Sequence, residues 1–146
     1  MMKIEQSIAI SRPIEEVFAY VTDYDTQLQW QSGLLEAKIT SEGPLGVGSQ
    51  YTYVTQMLGR RVETAGEITE HEPSTKHEWK ATSGPFPEFQ GGFLFEPTEG
   101  GTRVTMLAEG DPGGFFKLAE PLAIRMVRRQ LETSLDNLKD LLEAHA

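Results

Sequence analysis

The stretch "HEWKATSGPFPEFQGGFLFEP", residues 77–97, decides how this chain folds. Phe89, Phe93 and Phe95 fall on alternate positions with Gly91 between them, and a strand sends alternate side chains to one face. The three rings therefore share a face, and Gln90, Gly92, Leu94 and Glu96 take the other. A row of aromatic side chains must be covered, so the rest of the sequence is searched for strands that extend the face and an element that closes it.

Strands flank this one on both sides, separated by turn signals. "LLEAKIT" (34–40), broken by "GPLGVG" (43–48), is followed by "SQYTYVTQM" (49–57), "VETAGEITE" (62–70), "KHEWKAT" (76–82), "EFQGGFLF" (88–95) and "TRVTMLAEG" (102–110). Short connections between successive strands predict an antiparallel meander. A tight connection at 58–61 sets Met57 opposite Val62, Thr55 opposite Thr64, Tyr53 opposite Gly66 and Tyr51 opposite Ile68. A loop at 72–75 sets Ile68 opposite Trp79, Gly66 opposite Ala81 and Glu70 opposite His77. A loop at 96–101 sets Phe95 opposite Thr102, Phe93 opposite Val104, Gly91 opposite Met106 and Phe89 opposite Ala108. Every pairing keeps the apolar residues mostly on one face, often a large ring against a small residue. The other face carries Glu63, Glu67, Glu78, Lys80, Arg103 and Glu109, with Val54, Leu94 and Leu107 as scattered apolar positions.

The cover lies at the end of the chain. From about Phe115 to Ala144 the residues Ile124, Val127, Leu131, Leu135, Leu138 and Leu142 recur at spacings of three and four, one apolar stripe of a helix. Thirty helical residues span roughly 45 Å, with Pro121 as the point of a kink or restart. At the other end, "KIEQSIAI" (3–10) alternates as a strand with Ile4, Ile8 and Ile10 on one side. "SRPIEEVFAYVTD" then begins a helix, with Ser11 as its cap, Pro13 in the first turn, Glu15 and Glu16 near the positive end of the dipole, and Val17, Phe18 and Val21 inward. A second short helix or turn around "YDTQLQW" (24–30) brings in Trp30. One helix cannot fill a deeply curved sheet, so a cavity is expected between them.

Composition narrows the function classes. The 146 residues suit one domain, 1–146. A net charge of −9 argues against nucleic acid or an anionic membrane as partner. No cysteine is present, which removes disulfide and thiolate chemistry. The N-terminal residues include no long apolar run, so neither a secretory signal nor a membrane span is expected, and the default location is the cytoplasm. No phosphate-binding glycine loop, nucleophile elbow or metal loop appears, and no cofactor is expected.

Five phrases, "SRPIEEVFAYVTDYDTQLQW", "GPLGVGSQYTY", "EHEPSTKHEWKA", "FEPTEGGTRVTM" and "RRQLETSLDNLKDLLE", occur in the order of strand, short helices, meander and long helix. In that order the chain resembles the START-like superfamily, and most closely its polyketide cyclase/dehydrase branch. The resemblance implies an α+β helix-grip fold, a curved antiparallel sheet of six to seven strands wrapped around a long C-terminal helix, with two short helices after the first strand. It implies a small hydrophobic ligand held between helix and sheet. It leaves function open, because the superfamily includes lipid carriers, hormone receptors, cyclases, dehydratases and chaperone cofactors.

The residues expected to line such a cavity are Trp30, Tyr51, Tyr53, Thr55, Thr64, Trp79, Phe89, Phe93, Phe95, Met106, Phe115, Leu122, Met126 and Arg128. Tyr51 and Tyr53 read either as a pair of phenol donors for a ligand oxygen or as core rings. His77 and Glu70, opposite each other, read either as an imidazole oriented by a carboxylate for general base work or as an exposed pair at the sheet rim. His71 falls on the outer face, so with three histidines in all no metal site is expected. Arg128, about 40° round the helix from Ile124, either reaches the pocket mouth for an acidic ligand or is solvated beside Glu132. "GDPGGFFKLAEP" (110–121) reads as a hinge, with Phe115 and Phe116 gating the cavity, or as a plain loop before a helix. Three functions follow. The chain binds a hydrophobic or aromatic metabolite or lipid; or it is a cofactor-independent cyclase or dehydratase using Tyr51, Tyr53, His77 and Glu70; or it is an interaction protein like the chaperone cofactors. A monomer or weak dimer is expected.

Overall fold

A computed structural model describes residues 2–57, 59–84, 89–110 and 120–144. Seven strands form one antiparallel sheet: β1 Met2–Ile10, β2 Leu34–Ile39, β3 Gln50–Met57, β4 Arg60–Glu72, β5 Lys76–Ser83, β6 Gln90–Thr98 and β7 Gly101–Gly110. Their order is β1-β7-β6-β5-β4-β3-β2. The meander is thus β2 to β7, and β1 adds itself beside the last strand. Helix α1, Ile14–Val21, and a 3₁₀ turn, Gln27–Gln29, follow β1, and helix α2, Glu120–Ala144, closes the chain. This is the helix-grip arrangement expected from the sequence.

Two hairpins are tighter than expected. Met57 pairs with Arg60, which moves Tyr51 opposite Gly66, Tyr53 opposite Thr64 and Thr55 opposite Val62. Thr98 pairs with Gly101, which moves Phe95 opposite Val104, Phe93 opposite Met106 and Gly91 opposite Ala108. The second turn is allowed by Gly100, whose φ of +84° suits only a residue without a side chain. Both corrections are shifts of two residues, so every side chain keeps its face. The third hairpin differs in kind. Ile68 opposite Trp79 and Gly66 opposite Ala81 stand as expected, but a bulge between Ile68 and Glu70 then sets Glu70 opposite Glu78 and His71 opposite His77. The extra residue reverses the faces beyond it: Glu70 turns outward and His71 turns in.

The core lies between the concave face and α2. Phe93, Phe95, Val104 and Met106 of the sheet, Ile4 and Ile10 of β1, Val17, Phe18 and Val21 of α1, Trp30, and Leu131, Leu135, Leu138 and Leu142 of α2 are buried together. Ile124 and Val127 are half-buried extensions of that stripe. Polar contacts fix the helix over it: Lys139 Nζ donates to Ala9 O at 2.8 Å, Ser11 N donates to Glu143 at 2.9 Å, and Asn137 Nδ2 donates to Trp30 O at 3.2 Å. Helix α1 starts later than expected. Pro13, not Ser11, precedes its first residue, and Arg12 pairs with Glu16 across the start at 2.6 Å. Pro121 falls in the first turn of the described helix, where a missing N–H costs nothing. Of the outward apolar residues, Leu94 and Leu107 are half-buried while Val54 is buried.

Glycine makes the ring packing possible. The Tyr51 ring lies over Gly66, and a Cβ there would overlap both that ring and the Lys80 carbonyl; a Cβ at Gly91 would press on Trp79 at 3.1 Å. Gly66→Ala is therefore expected to destabilise the fold by about 1–3 kcal/mol, as overpacking does in a filled core, measured by urea unfolding. Gly43→Ala is strained too, at φ +93°, but meets nothing within 4 Å and is expected to cost less.

Candidate functional site

The inner face is graded from one end to the other. At the end near α1, Phe93 and Phe95 are 0% and 4% exposed and Leu138 and Leu142 lie on them as a solid core. At the opposite end, where β3 finishes and α2 begins, Leu34, Thr55, Val62, Thr64, Phe89, Ile124 and Val127 are all only half-buried. Trp79 stands between the two, half-buried, with its ring 5.2 Å from Phe93 and 6.0 Å from Tyr53. The looser end is where the inner face has apolar side chains still reachable from outside, with the hydroxyls of Thr55 and Thr64 among them.

Between the ends runs a polar chain. Tyr24 and His77 are hydrogen-bonded, Oη to Nε2, at 3.1 Å, and His77 and His71 are joined Nδ1 to Nδ1 at 3.0 Å. Tyr53 donates to Gln27 Oε1 at 2.9 Å, and Gln27 Nε2 donates to Val21 O at 3.1 Å. The Tyr24 and Tyr53 rings stack with their centroids 5.7 Å apart. His77 and Gln27 are fully buried, Tyr24 nearly so. Burial, and second the neighbouring His71, hold the His77 imidazole down to about 4; burial lowers His71 as well. Burial raises Tyr24, Tyr51 and Tyr53 above the ordinary phenol range, so all three stay protonated.

This geometry sorts the expected site residues. Trp30, Tyr51, Tyr53, Trp79, Phe89, Phe93, Phe95, Met106, Thr55 and Thr64 all belong to the inner face, Phe93 and Trp30 as closed core 5.7 Å apart. Trp30 buries its indole N–H with no protein acceptor among the described residues. Met126 is half-buried, but Leu122, at 63% exposure, and Arg128 lie on the solvent side of α2. Phe115 and the proposed hinge with Phe116 lie outside the described residues. Tyr53 is no free donor: the Gln27 amide is oriented by Val21, so its oxygen takes the Tyr53 proton and leaves only the Tyr53 lone pairs. His77 is oriented by Tyr24 and His71, not by a carboxylate. Glu70 is outward, 3.6 Å from Lys76, because the bulge removed it from the inner face.

Tyr24, Gln27 and His71 are the residues that sequence reasoning missed as inner polar groups. For His71 one signal existed. The unbulged register points the Glu70 carboxylate into an aromatic core, where an unpaired charge is costly, and a bulge resolves that conflict. For Tyr24 and Gln27, three apart in a short turn, the sequence has no comparable signal. On the convex side, Thr69, Glu78, Gln90, Leu107 and Glu109 frame, with Trp79 and Gly91, a recess of about 80 Å³. That is room for two or three waters, not a metabolite. Among the described residues no three His, Asp or Glu side chains gather for a metal, and no helix is long and apolar enough to cross a membrane.

Comparison with known proteins agrees with this architecture. The family model described as polyketide cyclase / dehydrase and lipid transport matches residues 1–143, so the chain belongs to that family. Among solved structures, a protein from Thermus thermophilus superposes with a TM-score of 0.84 at 19% identity, covering 99% of each chain. A START superfamily protein from Mycobacterium smegmatis gives 0.81 at 14% identity over 99% of each chain. A Nitrosomonas europaea protein gives 0.76 at 18% identity, covering 99% of this chain and 96% of its own. No curated protein matches the chain.

The buried imidazole sets a pH dependence. Between its ordinary 6.5 and about 4, the unfolded chain takes a proton at residue 77 that the folded chain refuses. The corresponding stability is fully present above pH 6.5 and declines as pH falls toward 4, by about 2–3 kcal/mol at pH 4.5. His71 adds in the same direction. Urea unfolding at pH 7.5 and 4.5 is expected to show this loss, and His77→Gln to show a loss smaller by roughly that amount.

Proposed function

Given this family membership, we propose that the chain binds a small hydrophobic or aromatic molecule, a lipid or a polyketide-like metabolite, between α2 and the sheet. The observation that supports this best is the grading of the inner face. The half-buried Val62, Phe89, Ile124 and Val127 give an apolar ligand surface to bury, worth ~25 cal/mol for each Å² removed from water. Thr55, Thr64 and the Tyr53 lone pairs are the polar handles that would orient it. The protein works as a monomer or weak dimer in the cytoplasm and needs no cofactor for binding.

Titration with the fluorescent dye 8-anilinonaphthalene-1-sulfonate tests the proposal. Thr64→Trp puts an indole into the looser end and is expected to weaken the dye at least tenfold, with little change in melting temperature. Thr105→Trp, on the convex face, is expected to leave affinity unchanged. Equal affinity in the wild type and Thr64→Trp would sink the assignment of the site to this end.

A further inference from the structure

The sheet ends in two edges, and the chain treats them differently. A strand edge carries unpaired N–H and C=O groups, a template on which another strand can build. At the β1 edge α2 blocks that template: Lys139 Nζ donates to Ala9 O, and the Ser11 N–H donates to Glu143. The β2 edge, at the far end of the strand order, has no such cover among the described residues. The ladder locates its polar groups. Thr40 N donates to Gln50 O at 2.8 Å, and bonded pairs alternate along an antiparallel strand, so Lys38 and Glu36 also bond toward β3. The N–H and C=O groups of Ala37 and Ile39 therefore point outward. Side chains alternate too. Ala37 and Ile39 pack on the inner face, while Glu36 and Lys38 are exposed on the convex one. Leu35, in the bulge that ends the regular ladder, is 44% exposed.

We propose that this edge pairs with β2 of a second copy of the chain, antiparallel, about a two-fold axis at Ala37. Hydrogen bonds form only where outward-pointing residues face one another, so the axis must pass through a residue and not between two. An axis at Glu36 sets Glu36 against Glu36, and an axis at Lys38 sets Lys38 against Lys38. Like charges directly opposite are destabilising. The axis at Ala37 instead sets Glu36 of each copy against Lys38 of the other. Both of these pairs fall at positions without hydrogen bonds, where facing side chains are closest, about 4.5 Å between Cα atoms. In the same register Ala37 exchanges its bonds with Ala37 of the second copy, and the exposed Leu35 meets Ile39. Glu36 already contacts Arg61 at 3.3 Å, an exposed pair, and so stands between two cations in the dimer. A two-fold contact through one edge closes at two copies, because the other edge is blocked. The net charge of −9 on each copy opposes association. At physiological salt, where the Debye length is about 8 Å, the adjacent charge pairs outweigh that more distant repulsion. A strand this short gives a small contact and hence a weak dimer.

The pairing does not depend on the ligand-binding function proposed above, and it is tested on the protein alone. Sedimentation equilibrium at physiological ionic strength, up to roughly 1 mM protein, is expected to show a monomer–dimer equilibrium with no larger species. Glu36→Lys and Lys38→Glu each place like charges opposite one another on both sides of the axis. Each is expected to raise the dissociation constant at least tenfold. Mixed together, the two variants face each other with opposite charges again, and a heterodimer of about wild-type affinity is expected. Ala37→Pro removes an outward N–H and leaves the bonds to β3 in place. It is expected to keep the circular dichroism of the wild type and to be monomeric. A wild type that stays monomeric at every concentration overturns the proposal. A dimer indifferent to both charge variants places the contact on another face, and a mixture that fails to associate excludes this register; either result overturns it. The charge variants decide the register whether or not Ala37→Pro folds.

Discussion

A row of aromatic rings on one face of a sheet has to be kept from water, and α2 does this here together with Phe18 of α1 and Trp30. Burying a ring such as Phe93 or Phe95 contributes about 2–3 kcal/mol, whereas each polar tie between α2 and its surroundings is worth about 1 kcal/mol. The leucine stripe therefore holds α2 in place, Lys139 and Glu143 set where along β1 it rests, and Asn137 ties it to the Trp30 carbonyl. One helix is too narrow for a seven-stranded curved sheet. It fills the end near α1, where Leu138 and Leu142 are almost fully buried, and the described side chains of the other end stay half-buried. The candidate ligand surface is a consequence of that mismatch between a wide face and a narrow cover.

The second constraint is the bulge at Thr69. Without it a carboxylate would face the aromatic core and an imidazole would face water. With it Glu70 joins Lys76 outside and His71 joins His77 inside. One extra residue thus exchanges a charge for a titratable but neutral group, and it joins the rim of the sheet to its buried phenols. Two buried polar groups are satisfied in sequence, Tyr53 by Gln27 and Gln27 by the backbone of α1. That is why Tyr53 can lie almost fully buried and still present a lone pair.

Much of this was legible in the residues, for a physical reason that also explains the failures. Strand faces repeat every two residues, so an error of two in a hairpin leaves each side chain on its correct face. The 58–61 and 96–101 connections were both read too long, yet Tyr51, Tyr53, Phe93 and Phe95 were placed correctly inward. A bulge is an error of one, and it reversed Glu70 and His71. The leucine stripe of α2 was legible because 3.6-residue periodicity survives over many turns, but its outer residues were not sorted. Leu122 and Arg128 were assigned to the cavity and lie in solvent. The Tyr24 and Gln27 contacts arise from a short turn folding back on the sheet, and no periodic pattern announces that.

The functional reading rests on the proposal that a small apolar molecule binds between the first turns of α2 and the sheet. Native mass spectrometry of the protein, purified without denaturant and compared with Thr64→Trp, addresses it most directly. The account predicts a bound species of small-molecule mass on the wild type, removed by organic extraction and much reduced on the variant. Equal occupancy on both proteins would contradict it by placing the ligand elsewhere, and a wild type that stays bare even after incubation with a lipid and metabolite extract would contradict it outright.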